Sequence, residues 1–142
     1  MKERILTLAL GTNLGNREDN LKQALTLLER CFGPAVECST ALETEAIGFE
    51  GPAFLNMLVR YRCSRRPQTV LRLCKEMERS MGRTDEPRYA ADGTRIYENR
   101  IIDIDILTYG ELEVSTQDLV IPHPALYSRP YIGELLLTLR PL

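Results

Sequence analysis

A basic excess is missing from this chain of 142 residues: 18 Lys and Arg stand against 20 Asp and Glu, a formal charge of −2, and the pI is near 5.5. That balance argues against a nucleic-acid partner, whose phosphates need a surplus of cations. A small anion stays open, because a few placed arginines and a metal bind one without changing the total. CxxC spacing is missing too. Cys31, Cys38, Cys63 and Cys74 each lie in an apolar run, where a thiol packs as a small hydrophobe, and they read as reduced core residues. No long hydrophobic run occurs near the start: after Lys2 and Arg4, Ile5–Leu10 is too short for a signal-peptide core or a membrane span and runs straight into a glycine turn. This predicts a soluble, cytoplasmic protein. Repeats, low-complexity tracts and interdomain linkers are absent as well. With 44% apolar residues, a chain of this length is expected to form one domain, residues 1–142, burying about two-thirds of its unfolded surface.

What is present is a regular alternation of elements. Residues 4–10 (RILTLAL) form a strand-length apolar run ended by Gly11, then GTNLGN supplies turn chemistry and Asn16 can cap a helix. That helix covers about 17–31, with Leu21, Ala24, Leu25, Leu28 and Cys31 at helical spacing. Residues 35–43 alternate as a strand, 44–53 read as loop, and 54–63 (FLNMLVRYRC) as another strand. Pro67 suits a first helical turn; Val70, Leu73, Cys74, Met77 and Met81 supply the buried face, and Gly82 the stop. Segment 84–99 is polar, holds an Asp-Gly turn signal and is long for a connection, as lids often are. The strand 100–108 (RIIDIDILT), a short extended piece near 112–114, a Pro122-His123-Pro124 loop and a helix from about 130 complete the chain. The order β-α-β-β-α-β predicts an α+β, ferredoxin-like sandwich, a mainly antiparallel sheet with helices packed on it.

Asp103 and Asp105 are two apart on a strand, so both carboxylates leave the sheet on one side, roughly 7 Å apart. Asp is depleted in strands and like charges on one face repel, so the pair costs stability unless a cation lies between. Solvated carboxylates at a strand end are one reading; the flanking isoleucines favour the other, a site for a pair of Mg²⁺ ions, which prefer oxygen ligands and keep positions open for phosphate. Arg83 and Arg100 bracket the 84–99 loop at its base, and the planar guanidinium fork matches phosphate oxygens. Either arginine alone reads equally well as a surface partner of Glu78, Asp85 or Glu98. GTNLGN lacks the GK[ST] ending of a Walker loop and the spacing of a dinucleotide fold, and is assigned a structural turn. His123, the one histidine, suits a solvated or capping role better than a catalytic one. Asn56, between Leu55 and Met57, is a buried amide that must find partners, as loop anchor or as ligand reader, with Phe54 on the same face as an aromatic wall.

Taken together, GTNLGN, TEAIGFEGPAFLN, EMERSMGR, RIIDIDILTYG and VIPHPALYSRPY resemble, in order and over nearly the whole chain, the 6-hydroxymethyl-7,8-dihydropterin pyrophosphokinase family of folate biosynthesis. The resemblance implies a ferredoxin-like core and transfer of the β,γ-diphosphate of ATP to the pterin hydroxymethyl oxygen, releasing AMP. It makes Asp103 and Asp105 the ligands of two Mg²⁺ and Arg83 and Arg100 the loop arginines that engage the phosphates, these four being the catalytic set. Glu78, Ile106, His123 and Arg129 match positions that line the ATP site together with those arginines. Thr44, Ile47, Phe54 and Asn56 match the pterin pocket, with Tyr97 where the best-known members carry a tryptophan and Tyr131 where they carry a phenylalanine. The 84–99 loop is longer than in compact members, Glu45-Ala46 replaces a proline-rich pair, and Asn99 replaces a proline. The implied partners are ATP and the pterin alone, with no membrane or nucleic acid, and the chain is expected to act as a monomer. For the general base, Asp103, Asp105 and water all stay open. The competing class is a non-catalytic ferredoxin-like module that binds a nucleotide or other ligand.

Overall fold

The computed structural model describes residues 1–46, 51–82, 88–89, 91–92, 95–96 and 101–142. In β1 (Arg4–Thr12) side chains alternate: Leu6, Leu8 and Leu10 point to one side of the sheet and are buried, while Thr7, Ala9 and Gly11 belong to the other. The strand continues through Gly11 to Thr12, past the stop expected at the glycine. The turn follows at Gly15, whose φ of 65° suits glycine. Asn16 then caps α1 (Arg17–Phe32), its Oδ1 accepting from the Asp19 amide at 3.1 Å, and Glu18 and Asp19 sit in the first turn where the helix dipole favours them.

The expected strand 35–43 divides into β2 (Glu37–Cys38) and β3 (Leu42–Thr44). The physical reason is Ser39: its hydroxyl accepts from Leu58 N at 2.7 Å, replacing a ladder bond by a side-chain one. Both pieces pair antiparallel with β4 (Phe54–Cys63), whose bounds match the sequence reading. Then comes α2 (Pro67–Ser80), with Pro67 in its first turn. Within segment 84–99, β5 (Arg88–Tyr89) pairs antiparallel with β6 (Arg95–Ile96), so the stretch read as loop contains a small hairpin. The strand expected at 100–108 is β7 (Asp103–Tyr109), and a second hairpin of β8 (Val114–Ser115) and β9 (Val120–Ile121) follows. After it the Ile121–Pro122 peptide is cis. The short α3 (Ala125–Ser128) precedes α4 (Pro130–Leu137), and β10 (Arg140–Pro141) returns to pair with β2. The short extended piece expected near 112–114 corresponds to β8, whereas its partner β9, α3 and β10 were not expected from the sequence.

Among the described residues the main sheet runs β10-β2-β4-β1-β7, with β3 also on β4. Its long strands thus take the crossed order of a ferredoxin-like α+β fold, with β1 between β4 and β7. On one face, Leu21, Ala24 and Leu28 of α1 and Val70, Cys74 and Met77 of α2 pack against Leu6, Leu8, Leu10, Met57, Val59, Tyr61, Ile104 and Ile106. On the other, α4 covers only part of the sheet, burying Ile132 and Leu135 against Leu58 and Leu107. The four cysteines are free thiols; Cys63 and Cys74 are buried, Cys31 and Cys38 half-buried. No helix among the described residues is long and apolar enough to cross a membrane.

Candidate active site

On the part of the second face that α4 does not reach, the strand register lines up one row of the candidate residues. Gly11 of β1 lies opposite Asn56 of β4 on one side and opposite Asp103 of β7 on the other. One step along, Ala9 faces Asp105 and Leu58. Directly opposed residues in an antiparallel pair share a face, so both carboxylates project on the side of Asn56, with the two smallest side-chain types of β1 between them. Both aspartates are half-buried, whereas Ile104 and Ile106 are turned into the helix-covered core, 5% and 4% exposed. The backbone of Ile106 therefore borders the site, but its side chain packs away from it.

The carboxylate-bearing strand is held from behind. Glu78, on α2 and 1% exposed, accepts the Ile104 amide proton on Oε2 at 2.8 Å, fixing the residue between Asp103 and Asp105. Lys75 Nζ lies 3.8 Å from Glu78 Oε1. This places Glu78 under the site, as a brace. Beyond the carboxylates, the His123 amide donates to Leu107 O at 2.9 Å, and His123 Nδ1 accepts from Ala125 N at 3.0 Å. The ring thus takes the capping role that its sequence context suggested, and because Nδ1 is an acceptor, a neutral ring carries its proton on Nε2. Burial, then the Arg129 guanidinium, push the His123 pKa below its ordinary value, with Asp103 pulling the other way. For Arg129 burial opposes the charge, yet Tyr131, Asp105 and Asp103 outweigh it and hold the pKa up. His123, Arg129 and the aspartates therefore share one electrostatic neighbourhood. Arg129 Nη1 also donates to Tyr131 Oη at 3.3 Å, and Tyr131 packs beside the α4 cluster.

At the other end of the row, Asn56 Nδ2 donates to Thr44 Oγ1 at 2.7 Å and to Leu42 O at 3.3 Å. A carbonyl can only accept, so this fixes which end of the amide faces β3. Thr44 pairs with Phe54, half-buried beside Asn56 on the same face. Thr44, Phe54 and Asn56 thus form one cluster, Asp103, Asp105, His123 and Arg129 another, joined by Gly11. Ile47, Arg83, Tyr97 and Arg100 lie outside the described residues.

A family model described as 7,8-dihydro-6-hydroxymethylpterin-pyrophosphokinase (HPPK) matches residues 7–141. The chain belongs to this family. It is 36% identical over 130 residues to the 2-amino-4-hydroxy-6-hydroxymethyldihydropteridine pyrophosphokinase of Bacillus subtilis, covering 90% of this chain and 73% of that protein. Against the enzyme of the same name from Porphyromonas gingivalis the identity is 37%, covering 90% of this chain and 85% of the relative. The mitochondrial folate synthesis bifunctional protein of Arabidopsis thaliana is 36% identical over 131 residues, 92% of this chain but 22% of that longer protein. Family and relatives carry the names of enzymes of folate synthesis, which favours a pyrophosphokinase over a non-catalytic binding module.

Three residues in or bordering this row escaped the sequence reading. Asn13, 1% exposed, donates from Nδ2 to Pro52 O at 3.0 Å, and Arg17 Nη1 donates to Ala53 O at 2.9 Å, so the loop after β1 and the first residue of α1 pin the approach to Phe54. A buried amide in GTNLGN was the available signal. The third is Gly11, hidden because a glycine beside a turn reads as a strand stop. The site also fits Mg²⁺. Its donors are carboxylate oxygens, and among the described residues no third His, Cys, Asp or Glu joins them, which leaves positions for phosphate oxygens and water.

Proposed function

We infer that this chain transfers the β,γ-diphosphate of ATP to the hydroxymethyl oxygen of 6-hydroxymethyl-7,8-dihydropterin, giving the pterin diphosphate and AMP in folate synthesis. The observation that carries this reading is the row Asn56–Gly11–Asp103, in which an amide suited to a heterocycle and a carboxylate suited to metal-bound phosphate lie on the two strands that flank β1, on one face of the sheet. Such a row brings acceptor and donor substrates together and converts a bimolecular encounter into a positioned one.

In this reading Asp103 and Asp105 hold two Mg²⁺, which when bound offset phosphate charge and orient the transferred group. Glu78 keeps the backbone between the aspartates in place. Arg129 and the Nε2–H of His123 engage the nucleotide, and Arg83 and Arg100 the phosphates, with segment 84–99 closing over them to exclude water. Thr44, Ile47, Phe54, Asn56, Tyr97 and Tyr131 hold the pterin. The hydroxyl proton passes to one of the two aspartates or to water. The same reading makes residues 1–142 one catalytic domain that acts as a cytoplasmic monomer. The test is AMP formation from ATP and Mg²⁺ with and without the pterin. AMP that appears only with the pterin is expected; none, or AMP formed equally without it, would overturn the assignment.

A further inference from the structure

Gly11 is buried in the middle of the site row, and its backbone does not require a glycine. Its φ is not among the positive values, which among the described glycines belong to Gly15, Gly33, Gly82 and Gly110. A strand interior that adopts ordinary extended geometry is better served by a residue with a side chain, since glycine there forfeits both packing and chain stiffness. The reason for a glycine must then lie in the space its side chain would take. A Cβ built on Gly11 would lie 3.2 Å from Asn56 Oδ1 and 3.7 Å from Phe54 Cδ1, and among the described residues no other atom comes within 4 Å. It would project into the notch bounded by the amide, the aromatic edge and the neighbouring strand of Asp103.

The amide end that faces this notch is fixed by the other end. Nδ2 is directed at Thr44 Oγ1 and Leu42 O, so Oδ1, an acceptor, overlooks Gly11 and accepts no hydrogen bond from the described residues. A flat ring seated with an N–H edge on Oδ1 and one face along Phe54 has its rim over Gly11.

We propose that Gly11 is a specificity-determining residue of the pterin subsite: its missing side chain leaves the notch into which the rim of a planar, N–H-bearing heterocycle drops beside Asn56 Oδ1, on the path toward Asp103. This rests on the pterin reading above and adds a residue and a steric role to it.

The test is calorimetry of 6-hydroxymethyl-7,8-dihydropterin binding to the full chain in saturating Mg²⁺ and a non-hydrolysable ATP analogue, for wild type, Gly11→Ala, Asn56→Ala and the double variant, with melting curves and analogue affinity alongside. Gly11→Ala is expected to weaken pterin binding by roughly 10- to 200-fold, the range that one added or missing methylene gives a fitted pocket. Analogue affinity should stay unchanged, and the melting temperature should shift by only a few degrees, because the stiffening of the unfolded chain by alanine is set against the few tenths of an ångström that Asn56 Oδ1 must give. The loss should persist on the Asn56→Ala background, where no amide is left for the new methyl to displace. Wild-type pterin affinity in Gly11→Ala would overturn the proposal, as would an equal loss of the ATP analogue, or a loss that vanishes without Asn56 and so marks Gly11 as no more than a seat for that amide. Failure of the wild-type protein to bind the pterin at all would instead remove the functional reading, and this inference with it.

Discussion

The two faces of the central sheet come from the same strands and the same alternation, yet they obey opposite rules. Toward the helices, β1, β4 and β7 present Leu8, Val59 and Ile106, each 4% exposed or less and packed against apolar neighbours. Toward the partly covered side, the intervening positions present Gly11, Asn56, Asp103 and Asp105, residue types that strands disfavour. One face lowers the free energy of the folded chain through apolar burial; the other forgoes that packing and sets two carboxylates side by side within reach of the Arg129 charge. A period of two lets a protein write stability and chemistry in alternate letters of one strand.

The largest effect that tests this contrast is on turnover. Asp103→Asn or Asp105→Asn should cut pterin-dependent AMP formation by about 10³-fold, the several kcal/mol that a bound metal supplies. The melting temperature should change little, because the repulsion relieved between two like charges is set against the attraction lost to Arg129. Near-normal activity at saturating Mg²⁺ would end the metal assignment, and a steep fall in melting temperature would erase the distinction between the faces. Leu8→Ala is the mirror experiment. Its side chain is fully buried, so denaturant titration should show a loss of roughly 2–5 kcal/mol, while the folded fraction keeps its turnover per molecule. A kcat that falls with folding intact would mean the closed face reaches into the chemistry.

Smaller effects sharpen the division within the open face. Asn56→Ala should weaken pterin binding by about tenfold, near 1.4 kcal/mol and the scale of one hydrogen bond, and leave the affinity for a non-hydrolysable ATP analogue unchanged. Matching losses of both ligands in calorimetry would indicate that the bonds from Nδ2 to Thr44 and Leu42 matter mainly for seating β3. The least effect concerns pH. Since the folded protein lowers the His123 pKa, chiefly by burial, the unfolded chain takes up the proton first as pH falls below about 6.5. The neutral ring's contribution to stability is thus complete above that pH and lost as pH descends through the folded value. His123→Gln should flatten that limb of the stability curve, measured from pH 7 to 5; an unchanged limb would place the titration elsewhere.

How much of this was legible in the sequence follows from whether a signal is local. The bounds of β4, the Asn16 cap and the Pro67 start are written in neighbouring residues, and so is the shared face of Asp103 and Asp105. The break at Ser39 is not, because it depends on a hydroxyl meeting Leu58, and β10 depends on a partner strand about a hundred residues away. Glu78 shows the limit best. On a helix its carboxylate reads as a surface partner of Arg83 or Arg100, and nothing nearby announces that it reaches the backbone between two aspartates. Gly11 failed for the opposite reason, since a strong local signal, glycine before a turn, masked a role set across three strands.

The brace from Glu78 has a second meaning once the position of β7 is considered. It is the last strand of the main sheet among the described residues, and an outer strand offers its free amides and carbonyls to any passing extended chain. Here the Ile104 amide is occupied by Glu78 and the Leu107 carbonyl by the His123 amide. The contacts that aim the carboxylates therefore also blunt the border along which two copies would otherwise zip together. The placement of the two carboxylates and the covering of the sheet's border thus draw on the same two hydrogen bonds.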